Sequence, residues 1–133
     1  MATTTISQKE LERLAGDAYE GKSYRVSLGY NNTTGLTSES TTAAWDAVKL
    51  SGNGYADVTG TIGVGSYDAT DARYEMPQIS AEFSASGGTL TYDTVYVVVD
   101  SNTYVHSITV ESPAVTLADG NSVLYRITLA TDD

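Results

Sequence analysis

The side chains that perform most enzymatic chemistry are scarce in this sequence. His106 is the only histidine and there is no cysteine. A Ser–His–Asp triad would therefore have to be built around one imidazole, and thiolate catalysis, disulfides and Cys-based zinc sites are excluded. No Gly-x-Ser-x-Gly elbow is present. In a strand reading of residues 104–111, His106 falls in phase with Tyr104, Ile108 and Val110, which makes it a partly buried strand histidine or an interface residue. Asp100-Ser101-Asn102 opens like a calcium loop with Glu111 at the twelfth place, but Val105 occupies the sixth, where glycine is needed. A hairpin turn fits those residues better. Asp68 and Asp71, beside Tyr67 and Arg73, form an acidic loop pair with the ligand type for a cation; solvated loop charges are the plainer reading. Gly52-Asn53-Gly54 and Gly63-Val64-Gly65 are not followed by Lys-Ser/Thr and do not open a helix, so they are not phosphate loops. Any two of the seventeen Asp and Glu residues could form a glycosidase pair, and nothing marks one. No catalytic residue, cofactor or metal site is assigned, and the expectation is a protein that is not an enzyme.

Charge narrows the partners. Seven Lys and Arg stand against seventeen Asp and Glu, a formal net charge of -10. The basic residues are scattered, whereas phosphate-backbone binding needs them clustered to displace counterions. Nucleic acid and anionic membrane are therefore not expected partners. The longest apolar run, Val95-Tyr96-Val97-Val98-Val99, is far short of the ~20 residues that cross a bilayer as a helix. Residues 1–6 lack the basic and apolar blocks of a signal peptide, and cytoplasmic synthesis is expected.

The elements that must position these residues are mostly strands. Residues 94–100, 104–111 and 122–129 are β-branched and aromatic runs separated by Asp, Asn, Ser and Gly, a composition that suits pleated, half-buried surfaces. Further strands are expected over 22–30, 45–50, 55–63 and within 73–85, chiefly 78–85, with loops at 31–35, 37–44, 51–54 and 63–72. One helix is expected near 8–19. Ser7 and Glu10 have capping-box spacing, Leu11, Leu14, Ala15 and Ala18 recur at helical spacing, and Gly21 ends the run. The fold class is all-β: an antiparallel β-sandwich or jelly-roll-like domain with a short N-terminal α-helix. The length of 133 residues fits one domain, with 1–21 as arm and helix and 22–133 as the sandwich.

Ten tyrosines and a single tryptophan favour subunit contacts over sugar stacking, because tyrosine supplies contact area at little entropic cost. Met1, Ile6, Leu11, Leu14, Trp45, Tyr67, Tyr74, Tyr104 and His106 are the candidate interface residues. The arm over 1–8 and the tail over 130–133 are expected to reach neighbouring subunits.

The stretch Val115-Thr116-Leu117-Ala118-Asp119-Gly120-Asn121-Ser122-Val123-Leu124-Tyr125-Arg126-Ile127-Thr128-Leu129 resembles the closing turn and strand of small structural proteins of tailed bacteriophages. The runs over 81–96 and 45–55 are similar to that class as well, so the resemblance spans most of residues 45–129. It implies a virion component, made in the host cytoplasm. A capsid decoration (cement) protein that bridges major capsid subunits is the leading form; a tail or neck component and a glycan- or receptor-binding fibre module are the alternatives. It also implies virion proteins as partners and a homo-oligomer. It transfers no site residue, because that class shares no active site.

Overall fold

The computed structural model describes residues 5–132. Its first element is helix α1, Gln8–Ala18, and the sequence signals for it are realised: the Ser7 side chain accepts the Glu10 backbone N–H at 3.2 Å. Leu11 and Ala15 are buried, one turn apart. Arg13 bridges Glu10 and Asp17 on the solvent side.

Nine strands follow: β1 Ser23–Gly29, β2 Val58–Thr61, β3 Ser66–Asp68, β4 Arg73–Glu75, β5 Ile79–Ser84, β6 Leu90–Val99, β7 Ser107–Leu117, β8 Ser122–Ile127 and β9 Ala130–Asp132. They form antiparallel sheets of four (β2-β1-β6-β7), three (β3-β4-β9) and two (β5-β8) strands. The architecture is all-β and sandwich-like, with the helix at its start.

The two faces of the four-stranded sheet bury different sets. Register pairs Val26 with Val97 and Leu28 with Val95, so these side chains share a face. That face meets Ile79, Ala81 and Phe83 of β5, Tyr74 of β4, and Leu11 and Ala15 of α1 in the main core. The opposite face carries Arg25, Ser27, Tyr96 and Val98, and a second small core of Trp45, Tyr96, Val98 and Val105 covers part of it. With both faces covered, β6 is buried almost throughout, which explains its nearly continuous apolar sequence.

Several sequence expectations are corrected. Residues 45–50 are not a strand: Trp45 lies in a second helix, α2, Thr42–Asp46. The Thr41 hydroxyl caps it by accepting the Ala44 N–H at 3.2 Å, and the Ala-Ala pair favours helix. The expected 55–63 strand shortens to β2, because Tyr55 and Asp57 turn their polar ends to a side-chain network at β1. The loop over 63–72 contains β3, and 73–85 divides into β4 and β5 around Pro77, which lacks a ladder donor. The strand expected to begin at Tyr104 begins at Ser107. Tyr104 instead makes an isolated bridge to Thr41. The tail does not extend freely: Ala130–Asp132 pairs with β4, and the Thr131 hydroxyl donates to the Leu11 carbonyl at 2.9 Å. Of the expected arm, residues 1–4 lie outside the described residues, and Gln8 belongs to α1.

Candidate functional site

The polar surface concentrates where β6 ends. Asp100 and Ser101 both take left-handed backbone conformations, φ +55° and +51°, and the Asn102 N–H returns to the Val99 carbonyl at 3.1 Å. This is a tight turn with positive φ at both central positions, where glycine or asparagine is the usual occupant. The hairpin-turn reading of Asp100-Ser101-Asn102 is thus the right one. The turn is clamped from α2: the Thr42 N–H donates to the Thr103 carbonyl at 2.9 Å and the Thr42 hydroxyl to the Asn102 carbonyl at 2.8 Å. The turn forms a ridge with a cleft on either side, and Asn102 lines both.

The larger cleft, about 570 Å³, lies over β1 and β2 and is lined by Ser23, Arg25, Asp46, Thr59, Thr61 and Val98, among others. Its charged groups are engaged with each other. The Arg25 guanidinium meets both Asp46 carboxylate oxygens, at 3.0 and 3.1 Å, and stands 5.7 Å from the Tyr96 ring centroid. Burial opposes the charge on Arg25, but Asp46 and Tyr96 outweigh it and hold the group above its ordinary value. Beside this pair, Asp57 accepts from the Tyr55 hydroxyl at 2.6 Å, the Ser27 hydroxyl at 2.9 Å and the Lys49 ammonium at 2.9 Å. Burial raises the Asp57 pKa, yet these donors prevail and hold it below 3.8. Burial, then the Asp57 carboxylate, pushes the Tyr55 phenol far up. The network ties α2 and the 47–57 segment to the sheet. Among the described residues, no buried side-chain nitrogen or oxygen lacks a partner.

The smaller cleft, about 360 Å³, opens on the other side of the ridge, between the C-terminal end of α1 and the 100–106 segment. Tyr19 and His106 meet there: Oη and Nε2 are 3.0 Å apart and the rings are edge-on, with centroids 5.6 Å apart. The other imidazole nitrogen is 3.0 Å from Ser107 Oγ. Packing on the ring lowers the His106 pKa below 6.5, although the residue as a whole is exposed. Both ring nitrogens face hydroxyls, and among the described hydrogen bonds none comes from a carboxylate that would orient the imidazole as a base. His106 therefore lies just before β7 and does not continue the strand alternation.

A third cluster lies at the β3–β4 turn. Carboxylate oxygens of Asp68, Asp71 and Glu75 lie within 4.8 Å of one another, a ligand type that suits a hard divalent cation. The sequence pointed to the two aspartates; Glu75 joins them through the β3–β4 pairing. Arg73 Nε donates to Glu75 at 2.6 Å and already supplies positive charge there.

The candidate interface residues separate by burial. Leu11, Trp45 and Tyr74 are core side chains, at 1%, 0% and 6% exposure. Tyr67 is half-buried opposite Tyr74. Ile6, Leu14 and Tyr104 are exposed, and Met1 lies outside the described residues. Tyr104 and His106 come together at the smaller cleft, Leu11, Tyr67 and Tyr74 meet in the main core, and Trp45 lies in the second core. Sequence reading missed Tyr19 and Asn102 as cleft residues. The turn chemistry of residues 100–102 was the available signal for Asn102, whereas nothing local marks Tyr19. Comparison with protein-family models, curated proteins and solved structures finds no match to this chain.

Proposed function

We propose that this chain is a structural subunit of a tailed-phage particle, a decoration protein seated on the shell between major capsid subunits. The observation that carries the reading is a pair of strand edges left unpaired among the described residues, with apolar side chains exposed on them. Strand β7 is eleven residues long and forms the outer edge of the four-stranded sheet. It holds Val110 at 63% exposure, and β8, open on one edge, holds Leu124 at 44%. An open edge is a ready template for a partner chain. Residues 111–114 bulge out of the β6–β7 ladder, between the pairs Tyr92–Val115 and Thr94–Val110. A bulge of this kind discourages unselective edge pairing while leaving two short docking segments.

Other features are consistent with this role. The turn-and-strand resemblance over 45–129 points to the same class. The net charge of -10 keeps copies soluble and apart before assembly. Contacts of moderate strength suffice when many copies bridge repeated sites.

The test is copy number in purified particles. Decoration predicts a count of the order of the shell protein's, and Val110→Asp with Leu124→Asp lowers incorporation at least tenfold while the isolated variant stays folded. A count of a few per particle moves the chain to the tail or neck. Failure to sediment with particles refutes the reading.

A further inference from the structure

We propose that the smaller cleft is a binding site for a neutral saccharide of one or two pyranose rings. The site stands apart from the assembly reading, since it uses neither β7 Val110 nor β8 Leu124.

The first support is shape. At about 360 Å³ the cleft is at the small end of the ~300–1,000 Å³ typical of ligand sites, and Tyr104 stands at it with 61% of its surface exposed. An aromatic ring left open beside a concave polar surface offers a stacking platform for the C–H face of a sugar ring.

Charge chooses among ligand classes. Asp17 and Asp100 line the cleft together with Lys22, and Arg13 pairs with Asp17 at 3.1 Å, so the charges at the cleft nearly balance. The carboxylates disfavour an anion and the ammonium disfavours a cation. What remains is a neutral ligand rich in both hydrogen-bond donors and acceptors. Carboxylates accept from hydroxyls, an ammonium donates to ring and hydroxyl oxygens, and the Asn102 carboxamide does both. A polyhydroxylated ring can use all three.

The cleft is also held in place before any ligand arrives. Asp100 and Ser101 keep their left-handed conformations, a strained arrangement for a non-glycine pair. Hydrogen bonds hold it from both sides: the Asp100 N–H donates to the Ser23 carbonyl at 2.8 Å, and Thr42 holds Asn102 and Thr103. The base is fixed by the Tyr19–His106 pair, which joins α1 to the start of β7. The backbone that carries Asp100, Asn102 and Tyr104 needs no rearrangement on binding, which favours affinity at a small site.

The experiment is a titration of the 15N-labelled full chain with glucose, galactose, N-acetylglucosamine and their β-linked dimers. Spermidine and inorganic phosphate serve as charged probes. At least one sugar is expected to give saturable amide shifts centred on residues 17–22 and 100–106. Tyr104→Ala should weaken it about tenfold, the effect of losing one stacking contact, and Asn102→Ala should weaken it as well. Both side chains lie outside the core, and an unchanged amide spectrum elsewhere verifies the fold. A cleft that shifts with spermidine or phosphate and not with sugar overturns the proposal. So does a sugar response that Tyr104→Ala leaves intact, or no sugar response at all.

Discussion

Asp57 joins side chains of β1 and the 47–57 segment, and its removal tests the account of how that segment is held. It accepts two hydroxyl protons, from Tyr55 at 2.6 Å and Ser27 at 2.9 Å, and one ammonium proton, from Lys49 at 2.9 Å. Ser27 is fully buried. In Asp57→Ala the Ser27 and Tyr55 hydroxyls keep the donors that point at them, Arg25 and the Leu28 N–H, but lose the acceptor for their own protons. Each such loss costs about 1–3 kcal/mol. Lys49, with 31% of its side chain exposed, turns to water and loses less than about 1 kcal/mol. Relief of the carboxylate's own desolvation offsets part of this, leaving an expected destabilisation of about 3 kcal/mol. Urea unfolding followed by the fluorescence of Trp45 measures it. Adding Ser27→Ala removes one stranded hydroxyl, so the double variant should be more stable than the sum of the singles by about 1 kcal/mol. The pH dependence has a fixed sign. The folded pKa lies below 3.8, so the unfolded chain binds the proton more readily; the contribution of Asp57 is complete above the unfolded value and is lost as pH falls through the folded one. The gap between wild type and Asp57→Ala should therefore close in acid. A loss under about 1 kcal/mol at neutral pH, strict additivity with Ser27→Ala, or a gap that widens toward acid would refute this reasoning.

Trp45 is fully buried against Tyr96, with its indole N–H donating to the Thr37 carbonyl at 3.0 Å; Trp45→Ala should cost about 3–5 kcal/mol in chemical unfolding, and native emission should be blue-shifted relative to the unfolded chain. At Gly65 an added Cβ would collide with the Glu75 carbonyl and the Tyr74 ring, so Gly65→Ala should lower stability by about 1–3 kcal/mol by forcing β3 from β4, whereas Gly35→Ala, with open space around it but φ +67°, should lose only the smaller backbone penalty, about 1–2 kcal/mol. An NMR titration of the single histidine should give a pKa below 6.5, because packing on the His106 ring disfavours its charged form; a value above 6.5 would show that water reaches the ring and that the packing does not control its charge.

What was legible in the sequence is what local chemistry decides. Helix α1 announces itself through Ser7, Glu10 and the Leu11–Ala15 spacing, and the cap forms as expected. Strand β6 is legible because Val, Tyr and Thr occupy both of its buried faces. Helix α2 was misread because Trp45 and Val48 are residue types that favour strands; the Thr41 cap outweighs that preference, and five residues are too few for helical periodicity to show. Strand β9 was unreadable in principle, since its partner is β4, more than fifty residues away.

The same division explains why the smaller cleft was not visible as a site. Its turn is local, and the sequence declared it. Its aromatic base is not: Tyr19 ends α1 and His106 precedes β7, 87 residues apart, and they meet because β9 and β4 hold α1 against the sheet. Read along the chain, His106 was a lone imidazole and Tyr19 the last residue of the expected helix. Together with Tyr104 they give a polar cleft an aromatic wall. In a chain with no cysteine and one histidine, specificity has to come from hydroxyls, carboxylates and tyrosines held in fixed positions.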